Sequence, residues 1–263
     1  MRGQAGTPIR ALFISDTHLG LKGAQVNALL AFLQSIDPER IYLVGDIVDG
    51  WRLKKSWYWP PAGNRVVQHL LEMLRRGARV VYVPGNHDEF LREFMVLRFG
   101  GLAVRDRAMH IAADGRRYLV IHGDQFDAAV RHARWFQWLG NFSYNFALRL
   151  ALAVNWLRSR LGHPHWSLSA WARANVGRAA ALVERYEETL SRAAVEAGAD
   201  GVICGHIHSP ADHNRFGVHY LNCGDWVENL TAVIERADGR FELVRWAEAS
   251  KGAPADAAIA DRF

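Results

Sequence analysis

The chain has 263 residues, of which 50% are apolar and 22% charged, so a disordered polymer is excluded and a sizeable core is available. Its 23 Gly and 8 Pro exclude a collagen-like or low-complexity chain, and 2 Cys exclude a disulfide framework. The net charge of +5 is too small to name a partner by itself; the 12 His and 10 Trp are the unusual features.

In chain order, short apolar, β-branched runs end in Gly- or Asp-rich turns: Ile9–Ser15, Arg40–Val44, Arg79–Val83, Tyr118–Ile121 and Gly201–Cys204. Amphipathic stretches Ala24–Ser35, Arg65–Arg76 and Glu89–Phe99 separate the first of them. Strand and helix alternating at this spacing predict an α/β domain of largely parallel sheet character. The end differs: Val218–Asn222, Leu230–Glu235 and Arg240–Trp246 read as short strands, with Asp238-Gly239 as a hairpin turn. An antiparallel edge is therefore expected.

The stretch between Ile121 and Gly201 carries no strand signal. Helices are predicted near Ala128–Leu139, Phe142–Leu161 and Ser167–Ala197, punctuated by Gly140 and Gly162-His163-Pro164. The organisation expected is a core from 1–124 and 199–247, a helical cap insertion at 125–198 and a flexible tail at 248–263. Phe146–Leu157, the most apolar helical stretch, is too short and too polar to span a bilayer. No signal-peptide stretch precedes the first strand, and buried thiols suit a reducing compartment, so a cytoplasmic protein is expected.

Five polar islands stand at the ends of predicted strands: Asp16-Thr17-His18, Gly45-Asp46-Ile47-Val48-Asp49, Gly85-Asn86-His87-Asp88, His122-Gly123-Asp124 and Gly205-His206-Ile207-His208. Strand C-termini on one edge of an α/β sheet converge, and ligands bind there. Each island alone is weak: a lone Asp-x-His or Gly-Asp is common. Together they bring Asp16, His18, Asp46, Asn86, His122, His206 and His208 to one place. Carboxylate, amide and imidazole donors suit Mn, Fe, Zn, Co or Ni. Seven donors exceed what one ion with an open position needs, so two ions sharing a carboxylate are expected. Two such ions stabilise the attacking and leaving oxygens of a displacement at phosphorus, and a hydroxide between them is a nucleophile at neutral pH. Asp88 and Asp124 are candidates to orient histidines from behind, and Asp49 is either such a group or a turn cap.

These blocks resemble the calcineurin-like metallophosphoesterase superfamily over about residues 9–246. The resemblance implies a four-layer αββα sandwich around a dimetal site. It implies that Asp16, His18, Asp46 and His208 hold one ion, and that Asp46, Asn86, His122 and His206 hold the other, with Asp46 bridging. It also implies that His87 contacts the phosphate and helps protonate the leaving group. Asp46, Asn86 and His87 are thus the catalytic candidates.

The insertion bears on substrate. From Ala128 to Val183 there is no Asp or Glu, but there are seven Arg and five of the ten Trp. Basic residues beside Trp and Leu compose an interfacial helix. The loop Trp51–Pro61, rich in Trp, Lys and Arg, follows the Asp46 island directly. Trp51, Arg52, Arg131, Arg134 and Trp135 are the candidate substrate contacts. The insertion, the Gly-Asp-x-x-Asp-x-Trp variant at Gly45–Trp51 and Gly224-Asp225-Trp226-Val227-Glu228 resemble the UDP-2,3-diacylglucosamine hydrolase group. That resemblance implies Mn, a lipid-linked sugar nucleotide as amphiphilic substrate, lipid A synthesis, and a place at the cytoplasmic face of the inner membrane. The chain departs from the group at His87, where the group carries Arg and the wider superfamily His. The alternatives are a phosphodiesterase or pyrophosphatase of soluble nucleotides, and a non-catalytic scaffold, which would have lost ligands that this chain keeps.

Overall fold

The computed structural model describes residues 7–95, 98–129 and 168–246. The chain divides into two compact units, Met1–Asp124 with Ser191–Phe263, and Gln125–Leu190. The first unit is built on two sheets. In the first, β1 (Thr7–Ile14), β2 (Ile36–Val44), β3 (Arg79–Val83) and β5 (Leu102–Val104) run parallel. Antiparallel strands close its edges: β4 (Arg98–Phe99) on β5, β11 (Thr231–Glu235) on β1, and β12 (Phe241–Arg245) on β11. In the second, β7 (Arg117–Val120), β8 (Gly201–Cys204) and β10 (His219–Asn222) are parallel, flanked by antiparallel β6 (Ala108–Ile111) and β9 (Ala211–His213).

The pleat of β1 explains the layering. Successive side chains leave a strand on opposite faces. Ala11 and Phe13 enter a core between the sheets with Tyr42, Val44, Val83, Tyr118, Ile203 and Leu221. Leu12 and Ile14 enter a second core with Leu29 and Leu33 of α1 (Val26–Ser35) and Val66 and Met73 of α3 (Pro61–Arg75). A strand buried on both faces reads as a continuous apolar run, which is how residues 11–14 of β1 and 41–44 of β2 look in the sequence. Helix, sheet and sheet form the core of the expected αββα sandwich.

Two expectations need correction, and four short strands go beyond the predicted elements. The stretch Glu89–Phe99 is not one helix: a 3-10 turn, Glu89–Phe94, leads to β4, and the Gly100-Gly101 turn returns the chain as β5. Arg92 in that turn is drawn to Asp124 (2.7 Å) and to the carbonyl of Pro84 (3.3 Å), contacts that local periodicity does not encode. The segment after Asp49 is not all loop: Gly50–Lys55 forms a short helix, α2, whose N-cap is Asp49, accepting from the Arg52 N–H at 2.9 Å. Strands β4, β5, β6 and β9 have two to four residues, too few to show a period. The long helix α4 spans Leu168–Glu196, close to the predicted Ser167–Ala197. The two predicted helices before it and the tail at 248–263 lie outside the described residues.

Candidate active site

The five islands meet where the carboxyl ends of the two sheets lie side by side. Asp16 and His18 follow β1, Asp46 follows β2, Asn86 and His87 follow β3, His122 follows β7, and His206 and His208 follow β8. Backbone bonds lace these ends together. Asp16 N–H donates to the Gly45 carbonyl (3.0 Å), His18 N–H to the Asp46 carbonyl (3.0 Å) and Gly205 N–H to the His122 carbonyl (3.2 Å). Across the two sheets, His206 N–H donates to Asp16 Oδ2 (2.9 Å).

The side chains form two clusters of metal-ligand type, Asp16–His18–His208 and Asp46–His122–His206. In the first, His208 Nε2 lies 3.0 Å and His18 Nε2 3.7 Å from Asp16 Oδ1. In the second, His122 Nε2 lies 3.5 Å from Asp46 Oδ2. That same oxygen is 4.0 Å from His18 Nε2 and 3.9 Å from His87 Nε2. Asp46 Oδ2 therefore joins the clusters. His122 Nδ1 is 2.8 Å from the Val44 carbonyl, which it meets as a donor, so Nε2 is the atom turned toward Asp46 and the one a cation would take from the neutral ring.

The backbone is strained here. Among the described residues six non-glycines have positive φ, and five of them are Asp16, His18, Asp46, His206 and His208; the sixth is Leu230. Left-handed backbone costs an L-residue about 1 kcal/mol or more. Five such residues at one sheet edge are held there by the tertiary lacing, the signature of a functional site. Gly85 shows why the islands carry glycine: a Cβ there would press on Asp46 Oδ1 and come 2.6 Å from His122 Nε2.

Electrostatics follow from burial. Asp16 and Asp46 are fully buried. Burial alone would raise their pKa values, but His208 and His18 beside Asp16, and His122 beside Asp46, hold both carboxyls well below the usual range. Burial likewise opposes the charged form of His18 and His122, yet the carboxylates around them push both up to about 10. Both amide atoms of Asn86 are buried with no hydrogen-bond partner, and the equally buried Asp16 Oδ1 and Asp46 Oδ2 face only histidine ring nitrogens. Unpaired buried oxygens are costly. An all-oxygen-and-imidazole set with such atoms turned inward fits divalent cations, which would satisfy them.

Other predicted residues sort differently. Asp49 does both things expected of it in the alternative: it caps α2, and its carboxylate lies 3.4 Å from His18 Nδ1 and 3.0 Å from His87 Nδ1. The third ligand-type group, His18–Asp49–His87, is this orienting contact. Asp88 orients no histidine. Its Oδ2 accepts from Ile47 N–H (2.8 Å) and the Tyr82 hydroxyl (2.6 Å), and its Oδ1 from Gly85 N–H (2.6 Å), so it ties the Asp46 loop to the β3 end. Asp124 is engaged by Arg92, which the sequence reading did not single out. Trp51 packs against His87 with ring centroids 4.4 Å apart and the planes tilted by 34°, and its indole N–H donates to Glu89 (3.3 Å). Arg52 lies one turn beyond Asp49. Arg131, Arg134 and Trp135 lie outside the described residues.

Asp225 and Asn229 are an addition. Buried Asp225 accepts from Val227 N–H (2.8 Å) and Glu228 N–H (2.6 Å) and from the Asn229 side chain, which also donates to the His208 carbonyl (3.0 Å). The signal available was the Gly224–Glu228 block, whose contact with His208 is visible only after folding.

A double-sheet core with two N/O clusters meeting at one carboxylate is an arrangement suited to divalent-metal hydrolysis at phosphorus. The chain belongs to the calcineurin-like phosphoesterase family, whose model matches residues 9–210. It is 28% identical over 219 residues to a UDP-2,3-diacylglucosamine hydrolase of Cellvibrio japonicus (strain Ueda107), covering 78% of this chain and 84% of that one. It is 26% identical over 233 residues to the UDP-2,3-diacylglucosamine hydrolase of Neisseria meningitidis serogroup B, covering 87% and 94%. Among solved structures, a novel archaeal phosphodiesterase aligns at 14% identity with a TM-score of 0.40, covering 89% and 98%. The family implies divalent metal binding. No helix among the described residues is long and apolar enough to cross a membrane.

Proposed function

We propose that the protein is a two-cation hydrolase that splits the pyrophosphate of a lipid-linked sugar nucleotide of the UDP-2,3-diacylglucosamine type. The observation that carries the reading is Asp46 Oδ2, which faces His18 of one cluster and His122 of the other. Asp16, His18, Asp46 and His208 would hold one cation and Asp46, Asn86, His122 and His206 the other. Mn is the metal we favour. When bound, the pair supplies Lewis acidity to phosphoryl oxygens and lowers the pKa of water at the site.

The chain's own residues do the rest. Asp49 fixes the His87 ring through Nδ1, and Trp51 backs that ring, so a proton on His87 Nε2 is held at the site for the departing oxygen. The His122 Nδ1 contact with Val44 keeps its ring from turning away. Trp51 and Arg52 would meet the substrate beyond the scissile phosphorus. Residues 125–198, basic and rich in Trp, would receive the acyl chains and touch the membrane, placing the protein at the cytoplasmic face of the inner membrane in lipid A synthesis.

The names of the relatives support this substrate class, and the donor set supports the chemistry. The test is a turnover screen with Mn on UDP-2,3-diacylglucosamine, its deacylated form, simple nucleotide diphosphates and generic phosphodiesters. Acylated over deacylated substrate should be favoured at least about tenfold in kcat/KM, since each buried methylene contributes about 0.8 kcal/mol. Equal turnover would overturn the lipid part, and no turnover of any phosphorus substrate would overturn the whole.

A further inference from the structure

One feature near the site is not absorbed by the two clusters. The chain has only four lysines, and three of them, Lys22, Lys54 and Lys55, come together around α2. Lys22, Arg52 and Lys55, with Ser56, Tyr58 and the Gly20-Leu21 backbone, line a cavity of about 220 Å³. No carboxylate lines it. Elsewhere on this unit several exposed arginines are matched, among them Arg75 with Glu72, Arg76 with Asp37, Arg116 with Asp114 and Arg236 with Glu242. Among the described residues no carboxylate pairs with Lys22, Arg52 or Lys55. Lys22 Nζ instead stands over the Tyr58 ring, 5.8 Å from its centroid.

The cavity is tied to the candidate active site on both walls. On one side, Leu21 N–H donates to the His18 carbonyl (2.9 Å). On the other, Arg52 is the residue whose N–H is capped by Asp49, and Asp49 touches both His18 and His87. The walls pack closely: a Cβ on Gly20, which has φ +106°, would meet Leu53 of α2 at 2.8 Å. Three unmatched cations around a small recess concentrate positive potential and attract an anion. A pocket for a whole small molecule spans about 300–1,000 Å³, so this one suits a phosphate-sized group rather than a nucleoside.

We propose that this cavity is a second anion site, taking a phosphate-sized group of the substrate other than the one being attacked. The proposal rests on the phosphohydrolase reading for its substrate, but not for the binding itself. Lys and Arg are the groups that hold such oxygens, Arg in a fork and Lys as a point charge. The site would select substrates with two phosphates over those with one.

Two measurements test it. In the first, inorganic pyrophosphate is titrated calorimetrically into the full chain, stripped of divalent cations and exchanged into chelator-free, low-salt buffer. The unaltered chain should bind one per chain, K22A/K55A at least about tenfold more weakly, and K22R/K55R within about threefold. No binding by the unaltered chain, or equal binding by K22A/K55A, would overturn the site. In the second, KM with Mn is compared for a substrate carrying a phosphate beyond the scissile group and for one lacking it. The unaltered chain should favour the first at least tenfold, and K22A/K55A should lose that preference. A free-phosphate effector site would instead show inorganic phosphate changing turnover of both substrates alike, and would overturn the assignment to substrate. If neither substrate is turned over, the phosphohydrolase reading fails while the calorimetry still decides the cavity.

Discussion

Two buried polar clusters in this unit are built to opposite rules. At one, His110 is fully buried; its Nδ1 meets the Tyr42 hydroxyl (3.1 Å) and its Nε2 meets Glu235 Oε2 (2.8 Å). Glu235 Oε1 accepts from Ala113 N–H (2.7 Å) and lies 3.1 Å from Arg10 Nε. None of His110, Tyr42 or Glu235 has positive φ. At the other, Asp16, His18, Asp46, His206 and His208 all do, and the Asn86 amide lies buried without partners while the carboxylate oxygens face only histidine rings. Both clusters are histidine with carboxylate out of water. In the first, both ring nitrogens of His110 and both oxygens of Glu235 meet protein groups, and the cluster ties β6 of one sheet to β11 of the other. The second is complete only with something added, and strained backbone is tolerated there because the tertiary lacing holds it.

The comparison can be broken by substitution. Asp46→Ala should have the largest effect, lowering kcat on any phosphorus substrate by on the order of 10³ or more, because several kcal/mol of charge stabilisation goes with the shared carboxylate. Near-normal turnover would show that the clusters do no chemistry. Glu235→Ala should do the reverse. Leaving His110 and Arg10 without their partner should cost about 3–5 kcal/mol of stability in urea unfolding, with kcat per folded molecule nearly unchanged. A loss of activity matching Asp46→Ala would erase the distinction.

Smaller effects sharpen it. Asp49→Asn keeps a helix cap but weakens the hold on His18 and His87, and should lower Mn affinity or turnover about 10–100-fold while far-ultraviolet dichroism stays the same. Cation binding should also release protons. In the cation-free protein His18 and His122 are held protonated, with pKa values up to about 10, by neighbouring carboxylates. A cation needs the neutral ring, so Mn affinity should rise with pH from 6.5 toward 10. Calorimetry in buffers of different ionisation enthalpy would show the release; no dependence on buffer would refute it.

The two sheets' convergence was legible because ligand-type residues stand at strand ends and strand ends of an α/β fold meet. Asp46 as the shared carboxylate came from the family resemblance, and the distances now place it between the clusters. Asp88 was misread for a physical reason. The sequence shows a carboxylate next to His87, but not that four backbone N–H groups and the Tyr82 hydroxyl would claim it. Asp49 was legible as either of two things and turned out to be both, since its two oxygens face different elements.

The sequence by itself determined the donor inventory, its place at strand ends and the membership that follows from it, because those depend on local pattern and on the rule that parallel strands share an edge. Only the tertiary structure decided which carboxylate lies within reach of both histidine clusters, which one braces a loop, which lysines gather at a cavity, and which histidine is a structural tie. Those outcomes depend on partners distant in the chain, and a side chain's burial and charge environment exist only once the two sheets have packed.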